Sequence, residues 1–402
     1  MARAKRKRGS GEVADIAEQR GVHRASIRDA TPSHALPPLS DISVAQWRRL
    51  AARAIEPNGY YQPDWELAVN ASARGRTGAH ALQASSDRAG LIGLLPVISM
   101  RRAYKIPLPA LVGAEPYGTL CTPLFDRDAT EEAAAKLLQQ ARQSGAHALI
   151  LRNMSLDGPA MQAIAAVLQR DGLHVRVLKS AARAALDATR EADELLRDAL
   201  GAKKLKELRR LRNRLAEHGE VHFEVARSTQ EVAAALETFL KLEASGWKGQ
   251  RGTALMQDAG DAAFARRATV AMADNGQCEI VTLRAGDTPI AAAIVVRHQH
   301  RAFYFKLGID ERFAKYSPGV QLTLDLTRHL CADPAISSAD STASPDHPMI
   351  DPIWRDRFAI GDVLIPLRKH DPVVSLIHAA LVARQFMLAQ ARRVVRFIRK
   401  RH

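Results

Sequence analysis

"AFYFKLGIDERFAKYSPGVQLTLDLTRHL", residues 302–330, opens with alternating side chains, breaks at Ser317-Pro318-Gly319 and resumes at helical spacing. Phe303, Phe305, Leu307 and Ile309 fall on one side of the predicted strand, and Tyr304, Lys306, Gly308 and Asp310 on the other. One face is therefore expected to be core and the other a polar lining. Ser317 suits an N-cap, Pro318 the first helical position, and Gly319 lets the backbone come close to whatever lies before it. Free amides at the positive end of a helix suit a phosphate or pyrophosphate. The same three residues also serve an ordinary capped helix, so the surroundings decide between the two readings.

Working outward, the stretch belongs to a series that the chain runs through twice. In the first half, "DISVAQWRRLAARAI" and "YYQPDWELAVNASA" read as helices, and "HALQASSDRAGLIGLLPVISM" as two strands across a tight turn at Arg88-Ala89-Gly90. A third strand ends near "GTLCTPLF", followed by the helix "DATEEAAAKLLQQARQSG", the strand "HALILRNMS", the helix "GPAMQAIAAVLQRDG" and the strand "HVRVLKSAAR". The second half begins with the strand "VHFEVARS" and two helices. "QCEIVTLRAGDTPIAAAIVVRHQ" then turns at Gly286-Asp287, and the opening stretch follows, with the strand "AISSADST", a short helix around Trp354 and the strand "DVLIPLR". The shared order predicts a tandem duplication. Its parts are a disordered basic leader over 1–40, domains over 41–188 and 221–370, a basic linker helix over 189–220, and a basic amphipathic helix over 371–402.

Composition sets the class. A chain of 402 residues with 47% hydrophobic content can bury at least one large core, and two domains are the natural expectation. No run approaches the ~20 apolar residues of a membrane span. "MARAKRKRGSGEVADIAEQR" is basic without the apolar segment of a secretory signal, so a cytoplasmic location is expected. Cys121, Cys278 and Cys331 are far apart and lack metal-ligand spacing, so they read as buried thiols, and no metal is expected. The formal charge of +15 is concentrated in three segments: residues 1–8, 201–217 and 372–402. These exceed the whole net charge, so the folded body is close to neutral. Such arms suit a charged surface or polymer as neighbour, while nucleic acid is not the expected partner.

In the last helix, Asp371 caps and Pro372 starts. Val374, Leu381, Leu388 and Val395 recur every seven residues with Ile377, Ala391 and Ile398 beside them, and the rest is Arg-rich. Two readings follow for 372–402: peripheral contact with an anionic inner-membrane surface, or docking on its own domain or a second subunit.

Four segments in order, "KKLKELRRLRNRLAEHG" (203–219), "FLKLEASGWKGQRGTAL" (239–255), "GDTPIAAAIVV" (286–296) and "FYFKLGIDERFAKYSPGVQL" (303–322), resemble the CelD-type acetyltransferase domain of the GNAT superfamily. The first half resembles the inactive-looking copy of FemABX-like tandem proteins. The resemblance implies an α/β (α+β) chain of tandem GNAT folds, with mixed central sheets flanked by helices. It further implies acyl-CoA, acetyl-CoA first, in the cleft where the strands over 302–310 and 336–342 splay apart. Its pyrophosphate would rest on the amides around the helix start Ser317, Pro318, Gly319 and Val320, beside Tyr304, and the strand's backbone would polarise the thioester carbonyl. An amine or hydroxyl acceptor would attack, with a small molecule or polysaccharide as its source. The usual GNAT loop carries several glycines, whereas "RFAKYSPGV" has Gly319 alone. Aminoacyl-tRNA, used by FemABX-type relatives, therefore stays open as donor, and a non-catalytic interaction module is the third alternative.

The proton transfers of such a reaction need a carboxylate or His and a Tyr. Tyr316, Tyr304, Asp310, Asp346 and His347 supply these types, Lys306 lies on the polar side of the strand, and Trp247 and Lys248 would flank the acceptor entrance. "SPDHP" around Asp346 and His347 reads equally as a turn with an Asp cap, and Trp247 equally as a packing anchor.

Overall fold

The run Ile290-Ala291-Ala292-Ala293-Ile294-Val295-Val296 is buried along its whole length, as a strand covered on both faces requires. It is the middle of β9 (Thr288–His298), which pairs antiparallel with β8 (Cys278–Ala285) across the predicted turn and with β10 (Arg301–Ile309) on its other edge. The computed structural model describes residues 35–246, 249 and 251–399. The leader up to residue 34, Trp247 and Lys248 lie outside the described residues.

The first half supplies α1 (Val44–Ala52), α2 (Pro63–Ser72), β1 (His80–Ser86), β2 (Gly90–Ser99), α3 (Met100–Tyr104), β3 (Ala110–Gly113), β4 (Leu124–Phe125), α4 (Thr130–Gln143), β5 (Ala148–Ser155), α5 (Pro159–Arg170) and β6 (Arg176–Asp187). The connecting helix α6 (Ala192–Leu215) is bent at Gly201, whose φ of 73° and ψ of 158° no helix contains. The second half adds β7 (Val221–Ala226), α7 (Thr229–Ser245), α8 (Ala259–Asp274), β8 to β10, α9 (Pro318–Cys331), β11 (Ser338–Asp340), β12 (Asp356–Pro366) and α10 (Pro372–Arg399).

Both halves repeat one motif: a hairpin, a third strand antiparallel to it, a helix, and a strand returning parallel to the third. Thus β3 pairs parallel with β5, and β10 with β11. The final strands are exchanged. β12, from the second half, lies antiparallel beside β5; β6, from the first, lies antiparallel beside β11; and β6 and β12 pair with each other. All twelve strands therefore form one mixed sheet, in the order β1-β2-β3-β5-β12-β6-β11-β10-β9-β8-β7 with β4 paired to β2. Helices cover both faces, and the described residues from Ala35 onward form one compact unit.

Three local expectations change. No helix forms around Trp354; residues 345–353 are turns, and the indole is buried with Nε1 donating to Thr327 Oγ1 at 2.9 Å. Among the described side chains of α10, Val374, Ile377 and Leu381 are buried, packed with Met100, Val112, Ile150 and Leu364, while Leu388, the next heptad position, is exposed. Pro372–Ala391 is also long and apolar enough, by length and composition, to cross a membrane. The sequence reading missed this because His378 and Arg384 interrupt the apolar residues without making the segment polar.

Candidate functional site

β10 and β11 pair over only three residues, Arg301–Phe303 against Ser338–Asp340. β11 then ends, while β10 continues to Ile309 with β9 along its other edge. The strands thus part where the opening stretch leads into its polar face, and a cavity of ≈ 310 Å³ lies in the gap. Tyr304, Lys306, Leu307, Thr342, His347 and Met349 are among its walls.

The alternation of the opening stretch does not run through unbroken. The register with β9 slips between Tyr304 and Lys306, a bulge at Phe305. Phe303 and Phe305 pack with Tyr60 and Trp65 on one face of the sheet. Beyond the bulge, Leu307 and Ile309 cross to the face of Tyr304, against α9, while Gly308 turns to the α7 backbone. The expected grouping of Phe303, Phe305, Leu307 and Ile309 on one face is corrected accordingly, and Lys306 shares the face of Phe305.

That shift aims Lys306 at α7. Its Nζ lies 3.1 Å from Oε1 of Glu243, whose side chain is fully buried and whose Oε2 accepts the Leu255 amide at 2.9 Å. Tyr117, from the loop after β3, brings its ring within 5.8 Å of the same Nζ. Burial, and then the hydrogen bond of its hydroxyl to Asp261 Oδ2 at 2.9 Å, hold the Tyr117 phenol above its ordinary pKa. The sequence reading passed over Glu243 within the quoted "KLEASGWKG", and Tyr117 and Asp261 altogether.

The parting point itself is fixed by a buried network. Arg183 on β6, 0% exposed at its side chain, donates from Nη2 to Oδ2 of Asp340 at 2.5 Å, and Asp340 is 1% exposed. Its Nη1 donates to Thr119 O and Oγ1 at 2.8 and 2.7 Å. Thr119 Oγ1 donates on to the Thr342 carbonyl, and Thr342 Oγ1 donates to the Tyr304 carbonyl at 2.6 Å. The other oxygen of Asp340 accepts the Thr342 amide at 2.9 Å.

The remaining sequence candidates divide. His347 lines the cavity, with the Met349 amide donating to its Nδ1 at 3.4 Å, which leaves the proton on Nε2. Asp346 is exposed, with a left-handed φ of 59°, and does not line it. Tyr304 forms part of the wall, but its hydroxyl is turned into the core towards Thr323 Oγ1 at 3.2 Å, and burial pushes its pKa up to about 12. Asp310 faces a different groove, beside Thr238 and Lys241. The Arg312 guanidinium clasps its carboxylate and holds it below the ordinary range, so it makes a poor base at neutral pH. Tyr316 is buried against His218, 2.9 Å from its Nε2, and does not line the cavity.

At the start of α9 the expected cap is absent. Ser317 has a left-handed backbone, φ 56° and ψ 53°, and its side chain makes no capping bond. Pro318 and Gly319 are buried and Val320 half-buried. A Cβ on Gly319 would lie 2.9 Å from Leu307 Cδ2 and 3.1 Å from Met349 Sδ. The close approach that glycine permits is therefore made by the chain's own side chains.

The first half carries no comparable opening. β3 and β5 pair over Ala110–Val112 and Ala148–Ile150, and the loop 114–123 then runs between them, with the Cys121 amide bonded to the Asn153 carbonyl and Thr122 Oγ1 to the Ser155 amide. Asp126 and Asp128 stand before α4, and both are paired with Arg53.

Residues 202–346 match the family model described as an acetyltransferase (GNAT) domain. No curated protein matches the chain. Among solved structures, FemX is 12% identical, with 84% of this chain and 98% of that one covered at a TM-score of 0.53. The C-terminal domain of an Agrobacterium fabrum protein assigned as a lysylphosphatidylglycerol synthetase is 14% identical, with coverage of 84% and 95% and a TM-score of 0.52. A Bacteroides thetaiotaomicron protein of unknown function gives 12% identity, coverage of 83% and 100%, and a TM-score of 0.52. At these identities the likeness is one of fold.

Proposed function

We propose that the chain is an acyltransferase whose donor is acetyl-CoA, bound in the gap between β10 and β11, and whose acceptor is an amine or hydroxyl. The observation that carries this reading is the parting of the two parallel strands after three paired residues. It leaves the edge of β10 beyond Tyr304 without a neighbouring strand among the described residues, beside a cavity of ≈ 310 Å³. Main-chain groups on such an edge can pair with the donor and polarise its thioester carbonyl as the tetrahedral oxyanion forms.

In this reading the acceptor attacks the carbonyl carbon, the C–S bond breaks, and the proton that the acceptor's nitrogen or oxygen loses passes to the departing thiolate. His347, on the cavity wall with Nδ1 taken by the Met349 amide, can hydrogen-bond the leaving sulfur from Nε2. Lys306, held by Glu243 beside the Tyr117 ring, brings positive charge to the acceptor side of the bulge. The donor's pyrophosphate would lie against the first turn of α9, Ser317 to Val320, where the helix dipole favours an anion. A cell-envelope or polysaccharide acceptor is compatible with this arrangement, and so is a small amine.

Aminoacyl-tRNA is the second reading for the donor. It is favoured by the exposed basic residues Lys203, Lys204, Lys206, Arg209 and Arg210 of α6, which packs on α9. Calorimetric titration with acetyl-CoA, followed by measurement of thiol release with a panel of amines, separates the two. Micromolar binding with acceptor-dependent thiol release is the expected outcome. No heat and no thiol, together with salt-sensitive binding of aminoacyl-tRNA, would move the assignment to the second donor.

A further inference from the structure

We infer that the outer half of α10 is a docking element for an anionic lipid bilayer, which it enters in the plane of the interface. The inference does not depend on which donor the cleft takes. The first three turns of α10 belong to the fold: Val374, Ile377 and Leu381 are buried against α3, β3, β5 and β12. Asp371 fixes the start, through His147 Nδ1 at 2.5 Å and the Val373 amide at 2.9 Å. The last described tie to the body is Arg384, stacked over Tyr104 at 4.8 Å.

Beyond that point the helix continues to Arg399, and its large apolar side chains up to Leu388 lie open. Phe386 is 64% exposed, Met387 63% and Leu388 41%, and nearer the body Val382 and Leu376 are exposed as well. At 100° per residue, Leu376, Ala383 and Met387 lie within about 40° of one line on the helix surface, well away from the docked line of Val374, Ile377 and Leu381. The helix thus carries two apolar stripes, and only one of them is used by the fold.

Charge identifies what the second stripe faces. From Pro372 to His402 there are seven Lys/Arg, six of them at 392–401, and no Asp or Glu. α3, which packs beside α10 through Tyr104, adds exposed Arg101 and Lys105 at the root of the projecting half. Bulky apolar residues flanked by cations alone, on a helix leaving a nearly neutral body, are complementary to acyl chains under anionic headgroups. A transmembrane span over Pro372–Ala391 is disfavoured, because it would strip Val374, Ile377 and Leu381 from the sheet and place Arg384 within the hydrocarbon.

The full chain is to be co-sedimented with phosphatidylcholine vesicles and with vesicles containing about one-third phosphatidylglycerol, at low and high salt. Pelleting with the anionic vesicles only, falling at least roughly tenfold when the Debye length shrinks from ~10 Å to a few ångström, is the expected result. The double substitution Phe386→Ser/Met387→Ser, on exposed positions that leave the docked turns intact, should reduce pelleting to a similar degree with unchanged thermal unfolding. Equal pelleting of wild type and double variant, or none by either at low salt, would overturn the inference. So would a dimer in sedimentation velocity that the same two substitutions dissociate, because the stripe would then belong to a second copy of the chain.

Discussion

Replacing Arg183 by Met should damage stability and the cleft together. The guanidinium and its partner Asp340 are both buried, at 0% and 1% side-chain exposure and 2.5 Å apart. Met fills the volume but leaves the Asp340 carboxylate with the Thr342 amide as its remaining hydrogen bond. Breaking a buried pair from one side costs about 3–5 kcal/mol, the larger part being the stranded charge. The two bonds from Nη1 to Thr119 contribute within that range, at roughly 1 kcal/mol each. A loss of about 4 kcal/mol is a large share of the ~5–15 kcal/mol that holds a typical fold. Urea denaturation followed by far-ultraviolet circular dichroism should show a lower midpoint at unchanged slope. Arg183→Met/Asp340→Leu removes the stranded charge and should recover most of the loss. Thr119, which bonds the Thr342 carbonyl, loses its Arg183 anchor in both variants, and Thr342 loses Asp340 as well in the double one, so its hold on the Tyr304 carbonyl loosens and acetyl transfer by the folded fraction should fall in both. A single substitution costing under about 1 kcal/mol, or a double variant no better than the single, would refute the reasoning.

Three further outcomes are expected. His298, fully buried, accepts the Asn58 amide on Nδ1 and donates from Nε2 to the Ala51 carbonyl, and burial pulls its pKa down to about 4. Since the unfolded chain binds that proton first, near pH ~6.5, stability should be complete above that pH and fall by about 3 kcal/mol towards pH 4. A urea series across this range in wild type and His298→Gln checks it, and equal slopes in the two proteins would contradict it. Lys306→Met should lower the rate of acetyl transfer at least about tenfold while changing acetyl-CoA affinity little, as a group acting on the acceptor side would; a pure affinity loss in calorimetry would contradict that role. Gly319→Val, driven into Leu307 and Met349, should cost roughly 1–3 kcal/mol in thermal unfolding and weaken acetyl-CoA binding as well, and unchanged binding would remove the start of α9 from the donor site.

The sequence carried the hairpins, the helix order and the place of the cleft, because each is written in local periodicity and turn residues. "FYFKLGID" leads into the gap between β10 and β11, and His347, one of the sequence candidates, lies on its wall. What stayed hidden is non-local. A bulge leaves no mark in the alternation it interrupts, so Lys306 was grouped with Tyr304 although it faces Glu243. Glu243 itself, beside Leu242 in an amphipathic helix, reads as an ordinary solvated carboxylate. Asn153 and Asp362 meet 209 residues apart, and no window of sequence records that β12 returns to β5. Tyr117, Thr119 and Arg183 reach the cleft from the other half of the duplication, where no motif in the second half points to them.

The exchange of β6 and β12 has a consequence for how the protein is made. A ribosome delivers the chain in order, so the first-half sheet waits with a vacant slot between β5 and β6 until residue 366 has left the exit tunnel. During that time β5 and β6 both present unpaired backbone edges, the kind that invite association between nascent chains. Neither half can complete itself if the two are synthesised as separate polypeptides, although two fragments cut between β6 and β7 could complete one another when mixed. Translation and folding are therefore coupled over nearly the whole length of the message, and a nonsense mutation ahead of β12 removes the central strand of a domain that had been translated in full.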